Sequence, residues 1–387
     1  MRSSKIKAIY SFIIPVFILF YLMSCGHSDK GFFTDKEKVR DDGINHARGF
    51  ETEDFESHRI LRVFNPWQGA VNQKFEYILA GRTAELPDSF PEATVIRTPV
   101  NSVICLSTTH IAMLDFIGET EKITAVSGSQ YIYNESIRGK IENGELPDIG
   151  YDMNLDHELI LELNPDIIFA YGVGAESRSY VERLQSLGMD VVLIGEYLEH
   201  SPLAQAEWVK FFAHFFERID FATEKFAEVE DEYNLLSEMT RGLERRPLIL
   251  TGLPWRESWF VPGGGSLLAE LISDAGGEYL FGSNKGRENF PVDLEKVFSM
   301  SSRAEYWINT GTALSMRDIE KTDPRLAGLP PFRNNSVFNN NARTSDAGGN
   351  DFWESGIVNP HLVLKDLIKI IHPEILETHQ LIYYHKL

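Results

Sequence analysis

Residues 220–243, DFATEKFAEVEDEYNLLSEMTRGL, decide how the rest of this chain is interpreted. The segment lacks proline, its one glycine is Gly242, and acidic residues fill the face opposite an apolar stripe. The stripe, spaced by four and three, consists of Ala222, Phe226, Val229, Tyr233, Leu236 and Met239. This pattern predicts one amphipathic helix of about six turns, roughly 35 Å long. A dimerising coiled coil is the weaker interpretation, because too few heptads repeat.

Strand and helix patterns alternate on both sides of this helix. Short apolar runs bounded by turn residues predict strands at 103–106, 123–126, 166–170, 191–194, 248–251, 306–309 and 337–339. Helical spacing predicts helices at 109–117, 180–187, 266–275 and 360–371. Alternation over short loops implies parallel pairing with helices on both faces of each sheet. We therefore predict an α/β fold, in which two Rossmann-like lobes with mainly parallel sheets are joined by one long α-helix.

Two short helices give the halves a similar appearance. One precedes the strand at 166 and begins near Asp156, with Glu158 two residues later. The other precedes the strand at 306 and begins near Asp293, followed by Glu295. In each, the Asp is placed to cap the helix N-terminus.

Composition limits the function classes that this chain can belong to. The 387 residues are 43% hydrophobic, which is enough for two packed domains. The formal net charge of −20 argues against a protein that tracks nucleic-acid phosphates. The two cysteines, Cys25 and Cys105, exclude a disulfide scaffold and a multi-cysteine zinc site.

The N-terminus has the pattern of an export signal. A basic start with Arg2, Lys5 and Lys7 precedes an almost wholly apolar run, 8–23, which is short for a membrane span. The following residues, 22–26, resemble the lipobox of bacterial lipoproteins, and that resemblance implies cleavage after residue 24 and lipid attachment at Cys25. A short anchor helix with an incidental cysteine is the alternative. We predict a signal peptide at 1–24, a flexible tether at 25–58, lobes at 59–219 and 244–387, and the linking helix at 220–243.

Three stretches resemble the substrate-binding lipoproteins of ABC importers for iron–siderophore, haem and cobalamin. They are 103–107 with the helix ending at Gly118, 159–168, and 263–271 with 275–277. The resemblance spans about residues 100–373 and implies the two-lobed fold with a single long linking helix. The chain departs from the family pattern at Thr108, where proline is frequent, and at 59–99, which extend the usual N-terminus. Residues 61–64 and 77–79 are interpreted as an added hairpin, whose role is left open.

The resemblance also implies partners and a mechanism. The solute lies between the lobes, and a surface Glu on each lobe meets arginines of a membrane permease. Glu158 and Glu295 match these positions, although both are otherwise ordinary solvated acids. A lipid anchor on the periplasmic face of a bacterial membrane, a monomeric state and no nucleic-acid partner complete the expectation. Which membrane carries the anchor is left open.

Most candidate ligand contacts lie in loops that follow predicted strands, whereas Tyr151 precedes a short helix and Trp353 lies in the Gly-rich stretch 346–356. Flat aromatic walls suit a bulky chelate or macrocycle, and arginine offers forked donors to its carboxylates. We expect about half of the aromatic candidates to touch ligand and the others to pack the lobes. The candidates are Ser107, Thr108, His110, Gln130, Tyr131, Tyr151, Tyr171, Arg178, Trp255, Arg256, Trp259 and Trp353.

Other functions remain as alternatives. An oxyanion carrier, for example for molybdate, would use serine and backbone N–H contacts in place of aromatic ones. An exported α/β hydrolase would need a nucleophile elbow, which the residues around Gly128-Ser129 do not match. A purely structural lipoprotein fits two lobes and an aromatic-rich cleft less well. We expect no catalytic residue, no directly bound metal and no resident cofactor, although the solute can itself contain iron or cobalt.

Overall fold

The computed structural model describes residues 43–86, 93–151, 154–172, 176–256 and 258–387. Residues 41–387 form one compact unit. The predicted signal peptide and Cys25 lie outside the described residues, as do the side chains of 176–178 and 180.

The strands are numbered in chain order over the described residues. They are β1 (Phe50–Asp54), β2 (Arg59–Phe64), β3 (Lys74–Gly81), β4 (Thr94–Thr98), β5 (Val103–Cys105), β6 (Ile123–Val126), β7 (Ile167–Tyr171), β8 (Val191–Ile194), β9 (Leu248–Thr251), β10 (Pro254–Trp255), β11 (Ser258–Val261), β12 (Glu278–Tyr279), β13 (Phe290–Asp293), β14 (Tyr306–Ile308), β15 (Phe338–Asn339) and β16 (His385–Lys386).

The α-helices are numbered in the same way, with short 3₁₀ turns left unnumbered. They are α1 (Thr108–Phe116), α2 (Glu135–Glu142), α3 (His157–Leu163), α4 (Glu176–Ser186), α5 (Pro202–Ala206), α6 (Trp208–Phe215), α7 (Ile219–Arg241), α8 (Leu267–Asp274), α9 (Leu294–Met300), α10 (Met316–Thr322), α11 (Pro330–Arg333) and α12 (Pro360–Ile371). Among the described residues, no helix is both long and apolar enough to cross a membrane.

Each lobe contains a parallel sheet, which confirms the predicted α/β fold class. The N-terminal lobe has the order β6-β5-β7-β8, and the C-terminal lobe has β12-β9-β14. The strands β5 and β8 are buried along their whole length, as expected for parallel strands covered on both faces. A separate antiparallel sheet, β10-β11-β13, lies in the C-terminal half and was not predicted.

A second sheet of order β1-β2-β3-β4 precedes the N-terminal lobe and is called here the N-terminal sheet. The strands β1, β2 and β3 are antiparallel, which confirms the hairpin expected between 61–64 and 77–79, and β4 pairs parallel with β3. The predicted tether was wrong for residues 43–58, because β1 pairs with β2 along all five of its residues.

Two buried carboxylates hold the start of this sheet in place. Glu207 accepts the N–H groups of residues 45–47 at 2.7–2.9 Å, and Glu199 accepts those of 48 and 49 at 2.9 and 2.7 Å. Burial raises the pKa of Glu207, but hydrogen bonds from Lys210 and these N–H groups outweigh burial and hold it below its usual value. Five consecutive backbone donors are therefore fixed by acids about 150 residues away.

The predicted linking helix is α7, displaced by one or two residues at its ends from 220–243. It packs against α6, α8 and α12. Lys225 donates to the carbonyl of Phe116 in α1 at 2.8 Å, and Tyr233 donates to Asp274 in α8 at 2.7 Å. The helix thus contacts both lobes. Its buried stripe matches the predicted one except at its end, where Thr240 is buried and Met239 is exposed.

The packing of α7 predicts a large difference between two of its apolar side chains. Phe226 is 1% exposed, whereas Leu235 on the same helix is 60% exposed. We expect Phe226→Ala to lower the free energy of unfolding by about 3–5 kcal/mol, and the control Leu235→Ala to change it by less than about 0.5 kcal/mol. Urea denaturation followed by circular dichroism measures both. Equal losses would contradict the orientation of the helix.

Candidate functional site

The carboxyl ends of the parallel strands in both lobes face one cleft. In the N-terminal lobe, Thr108 and Thr109 follow β5 and Tyr197 follows β8. In the C-terminal lobe, Gly252 follows β9 and Asn309 follows β14. Open α/β sheets place ligands at this edge. The cleft is therefore the candidate binding site.

One end of the cleft, called here the apolar chamber, is a cavity of about 380 Å³. Its wall consists mainly of aliphatic and aromatic side chains from both lobes. The lining residues are Thr108, Thr109, Tyr197, Pro202, Gln205, Leu267, Leu268, Leu271, Asn309, Phe352, Trp353, Gly356, Ile357, Pro360 and Val363. Such a surface favours a ligand with an extended apolar face.

The adjoining cavity, called here the polar chamber, has a volume of about 740 Å³. It shares Tyr197, Leu267, Leu268, Asn309 and Trp353 with the apolar chamber. The remaining lining residues are Arg48, Gly49, Phe64, Asn65, Trp67, Gln68, Gly69, Gly195, Leu198, Glu199, His200, Thr251, Gly252, Phe260, Pro262, Ser266, Arg287, Glu288 and Asn289. Trp353, whose surface is 58% exposed, therefore faces both chambers.

The residues around Glu199 carry most of the charge in the polar chamber. The Glu199 carboxylate is buried and accepts the indole N–H of Trp208 at 2.9 Å besides the two backbone bonds already described. Arg287 donates through Nη2 to the Glu199 carbonyl, and His200 Nδ1 lies 3.5 Å from Glu199 Oε2. Burial lowers the pKa of His200, and the positive charge of Arg48 lowers it further.

A buried carboxylate connects the two lobes beside the cleft. Glu354 accepts the N–H groups of Tyr133 and Asn134 at 2.7 and 2.8 Å. Burial raises the pKa of Glu354 to about 7. Arg343, which pairs with Asp351 at 2.6 Å, also lies over the ring of Tyr133 at 5.2 Å. These contacts hold the β6–α2 loop of the N-terminal lobe against the C-terminal lobe.

The structure brings two of the predicted ligand residues, Thr108 and Trp353, into the cleft wall. Ser107 lies beside them as the N-cap of α1, where its hydroxyl accepts the N–H of Thr109 at 3.2 Å. Its role is thus at least partly structural, because the cap orients the first turn of α1 at the cleft.

Two predicted ligand residues lie in the core instead of the cleft. His110 is fully buried and packs edge-on against Phe169 at 6.1 Å between ring centroids. Trp259 is fully buried and donates through Nε1 to the carbonyl of Thr251 at 2.9 Å. Both predictions fail because helix and strand periodicity turns these side chains inward, toward the apolar layers.

The other described candidates lie elsewhere on the surface of the lobes. Tyr131 and Tyr151 are exposed, with ring centroids 5.0 Å apart, over Gly128, which has a φ of +69°. A Cβ on Gly128 would lie 2.6 Å from the Tyr151 ring, so this aromatic pair requires glycine there. Arg256 lies 4.2 Å from the centroid of the exposed Trp255 ring.

Gln130, Tyr171 and Arg178 are the remaining candidates. Gln130 is exposed beside Tyr131, and Tyr171 is half-buried, 6.4 Å from the His110 ring. Within the described part of the chain, neither chamber is lined by Gln130, Tyr131, Tyr151, Tyr171, Trp255 or Arg256. The side chain of Arg178 lies outside the described residues, so its predicted role stays a prediction.

Several residues that line the cleft were not predicted from the sequence. Tyr197 and His200 follow β8, and residues that follow other strands were chosen as candidates for that reason. The same criterion would have included these two. Arg48, Asn65 and Gln68 carried no such signal, because they belong to a segment interpreted as tether or as an added hairpin.

The predicted docking residues occupy equivalent places in the two lobes. Glu158 is exposed in the first turn of α3, capped by Asp156, which accepts the N–H of Leu159 at 3.0 Å. Glu295 is exposed in the first turn of α9, capped by Asp293, and pairs with Arg325 at 3.0 Å. An exposed pair of this kind is worth about 0–1 kcal/mol, so Arg325 holds Glu295 only weakly.

No group of three or more His, Cys, Asp or Glu side chains converges on a metal-sized site among the described residues. Cys105 is buried in β5, and burial raises its thiol pKa. The expectation of no resident cofactor stays a prediction.

This two-lobed α/β architecture with a ligand-sized cleft defines a solute-binding protein. Residues 103–344 match the family described as periplasmic binding protein, and the chain belongs to that family. It is similar to an uncharacterized lipoprotein of Methanocaldococcus jannaschii, with 26% identity over 81% of this chain and 78% of the relative. Members of this family are typically not enzymes.

Two solved structures share the fold. The periplasmic haem-binding protein RhuT from Roseiflexus sp. RS-1 matches 71% of this chain and 98% of its own, with a TM-score of 0.53 and 19% identity. The periplasmic vitamin B12 binding protein BtuF of Vibrio cholerae matches 73% of this chain and 99% of its own, with a TM-score of 0.52 and 15% identity.

The buried position of His110 predicts an effect on acid stability. Burial lowers the pKa of His110 from 6.5 to about 3, so the folded protein binds fewer protons than the unfolded chain below pH 6.5. The free energy of unfolding therefore decreases as the pH falls, and at about pH 5 it is lower by about 2 kcal/mol than at about pH 7.5. We expect His110→Leu to remove that part of the loss.

Urea denaturation of both proteins at about pH 7.5 and about pH 5 measures this difference. The buried His214, whose pKa burial also lowers to about 3, contributes equally to both proteins and cancels. An unchanged pH dependence in His110→Leu would contradict the burial of an uncharged imidazole.

Proposed function

We propose that this protein captures a bulky metal chelate or macrocycle of the iron–siderophore, haem or cobalamin type between its lobes. It then delivers this solute to the permease of an ABC importer. The observation that carries the proposal is the pair of adjoining chambers with the exposed indole of Trp353 between them. A planar aromatic wall next to an aliphatic one favours a ligand that is large, flat and partly apolar.

Two further observations support this solute class. RhuT is a haem-binding protein and BtuF a vitamin B12 binding protein, and both have this fold. The volumes of the chambers, about 380 and 740 Å³, are in the range of sites for drug-sized ligands. A small oxyanion would leave most of this space unfilled, which makes the molybdate-type carrier the second candidate.

The proposed setting is the outer side of a bacterial-type membrane, with a lipid at Cys25 as anchor. A relative over most of the chain is named a lipoprotein, which supports this assignment. The cleft lies in residues that follow the N-terminal segment, so an anchor there leaves the binding site free to meet a permease. The monomeric state stays a prediction.

Ligand titration tests the solute class. We expect the purified full-length protein in detergent to bind one of haemin, cyanocobalamin, ferrichrome or ferric citrate with a micromolar or lower Kd, measured by quenching of tryptophan fluorescence. Trp353→Ala should weaken that binding at least about ten-fold, because a stacking wall is lost. The control Phe55→Ala removes an exposed aromatic ring outside both chambers and should leave Kd unchanged.

Failure of all four compounds to bind at micromolar concentrations would contradict the chelate proposal. Binding of molybdate by the same protein would support the oxyanion carrier instead.

Charge reversal tests the docking residues. We expect Glu158→Lys and Glu295→Lys each to reduce uptake of the bound solute by cells at least about ten-fold, since the acids would guide and orient the permease complex. Solute Kd should not change, because both residues lie outside the cleft. Glu162→Lys, another exposed position on α3, is the matched control and should transport normally. Weakened solute binding in either docking variant would refute the assigned role.

A further inference from the structure

The polar chamber has a wall that lies outside the family match. The match begins at residue 103, whereas Arg48, Gly49 and residues 64–69 belong to the N-terminal sheet and its approach. The 64–69 portion is the turn between β2 and β3, which carries Trp67 and Gln68 to the cavity. The N-terminal sheet therefore adds a third wall to a cleft otherwise formed by two lobes.

Hydrogen bonds of the backbone around Arg48 fix this residue at the wall. Its N–H and that of Gly49 are bound by the buried carboxylate of Glu199, and the three preceding N–H groups by Glu207. Charge-assisted bonds of this kind are about twice as strong as neutral ones. The main chain of Arg48 is therefore fixed, while its exposed side chain remains available to a ligand.

Arg287 reaches the same place from the C-terminal lobe. Its loop docks on Gly263-Gly264-Gly265 through three backbone hydrogen bonds of 2.8–3.1 Å to residues 284, 286 and 288. A Cβ on Gly263 would lie 2.0 Å from the carbonyl oxygen of Gly286, so this approach requires glycine. The guanidinium of Arg287 then donates to the Glu199 carbonyl. His200, the neighbour of Glu199, completes a group of three bases.

The two guanidinium groups of this cluster have no acid partner at ion-pair distance within the described residues, whereas His200 lies beside the Glu199 carboxylate. The Glu199 carboxylate is occupied by two N–H groups and an indole, and no described acid pairs with the guanidinium of Arg48 or Arg287 within 4 Å. The other acid of the lining, Glu288, is exposed, and Glu270, which interacts electrostatically with Arg287, lies outside the lining. Burial lowers the pKa of His200 most, the positive charges of Arg48 and Arg287 lower it further, and the Glu199 carboxylate opposes them.

We propose that Arg48, His200 and Arg287 form an anion subsite in the polar chamber. This subsite binds an acidic group of the solute, either a carboxylate or a phosphate. The segment that leads into β1 supplies Arg48 and thereby determines which solutes are accepted. Because the proposed chelate extends from the apolar chamber into the polar one, this inference rests on the proposed function and narrows the class of solute. The preferred solute is amphipathic, with an apolar body and an acidic arm.

The subsite is tested first with simple anions that need no apolar chamber. Isothermal titration of the full-length protein in detergent with citrate and with inorganic phosphate should give millimolar or tighter binding. Arg48→Gln and Arg287→Gln should each weaken it at least about five-fold, since one forked donor is lost. The control Arg317→Gln removes an exposed arginine of α10 outside both chambers and should bind as the wild type does.

Two results would overturn the subsite: no binding of either anion by the wild type, or equal weakening in Arg317→Gln. Melting temperatures of the variants check folding, and Arg48→Gln keeps the backbone bonds to Glu199, so a folded test protein is available even if Arg287→Gln is unstable.

A matched ligand pair separates this inference from the proposed function. Haemin carries two carboxylates, and its dimethyl ester carries none. If Arg48→Gln weakens the binding of haemin at least about five-fold and leaves the binding of the ester unchanged, the subsite is supported. If haemin and ester bind alike in the wild type and in Arg48→Gln, the subsite is wrong while the chelate function stands. If neither binds but citrate binding depends on Arg48, the subsite stands and the haem-type proposal fails.

Discussion

The cleft depends on two buried carboxylates, Glu199 and Glu207, and on the five consecutive backbone N–H groups that they accept. A buried acid without partners is costly, and a free backbone N–H in the interior is costly as well, so each satisfies the other. Glu207 gains a further partner in Lys210 at 2.8 Å. The result is that residues 45–49, far from these acids in sequence, are fixed beside the lobe. These residues lead directly into β1, so their position also sets that of the N-terminal sheet, which forms the third wall of the cleft.

The other walls depend on elements that contact both lobes. The long helix α7 binds α1 through Lys225 and α8 through Tyr233. On the cleft side, Glu354 accepts two N–H groups from the opposite lobe. A rigid helix combined with a few polar contacts at the cleft is a suitable arrangement for a clamp, since the helix preserves the geometry while the polar contacts can be broken and remade. Solute capture between the lobes is thus compatible with how they are joined.

Much of the fold could be predicted from the sequence, because it depends on local patterns. The stripe of α7 and the apolar runs of β5, β6 and β8 show their periodicity within a few residues. Residues 43–58 could not be predicted as folded, since they are polar and acquire their order from Glu199 and Glu207. The site was predicted less well than the fold. Thr108, chosen because it follows a strand, and Trp353, chosen from a Gly-rich stretch, both line the cleft, but local position does not reveal whether a ring such as Trp259 points inward.

The central claim is that the solute lies between the lobes, across both chambers. A crystal structure of the protein with the tightest-binding solute from the titrations tests it most directly. The account predicts electron density for the solute in contact with Trp353 and Tyr197, with the N-terminal sheet at its side. Density on the outer surface of either lobe, with both chambers filled by water, would contradict it.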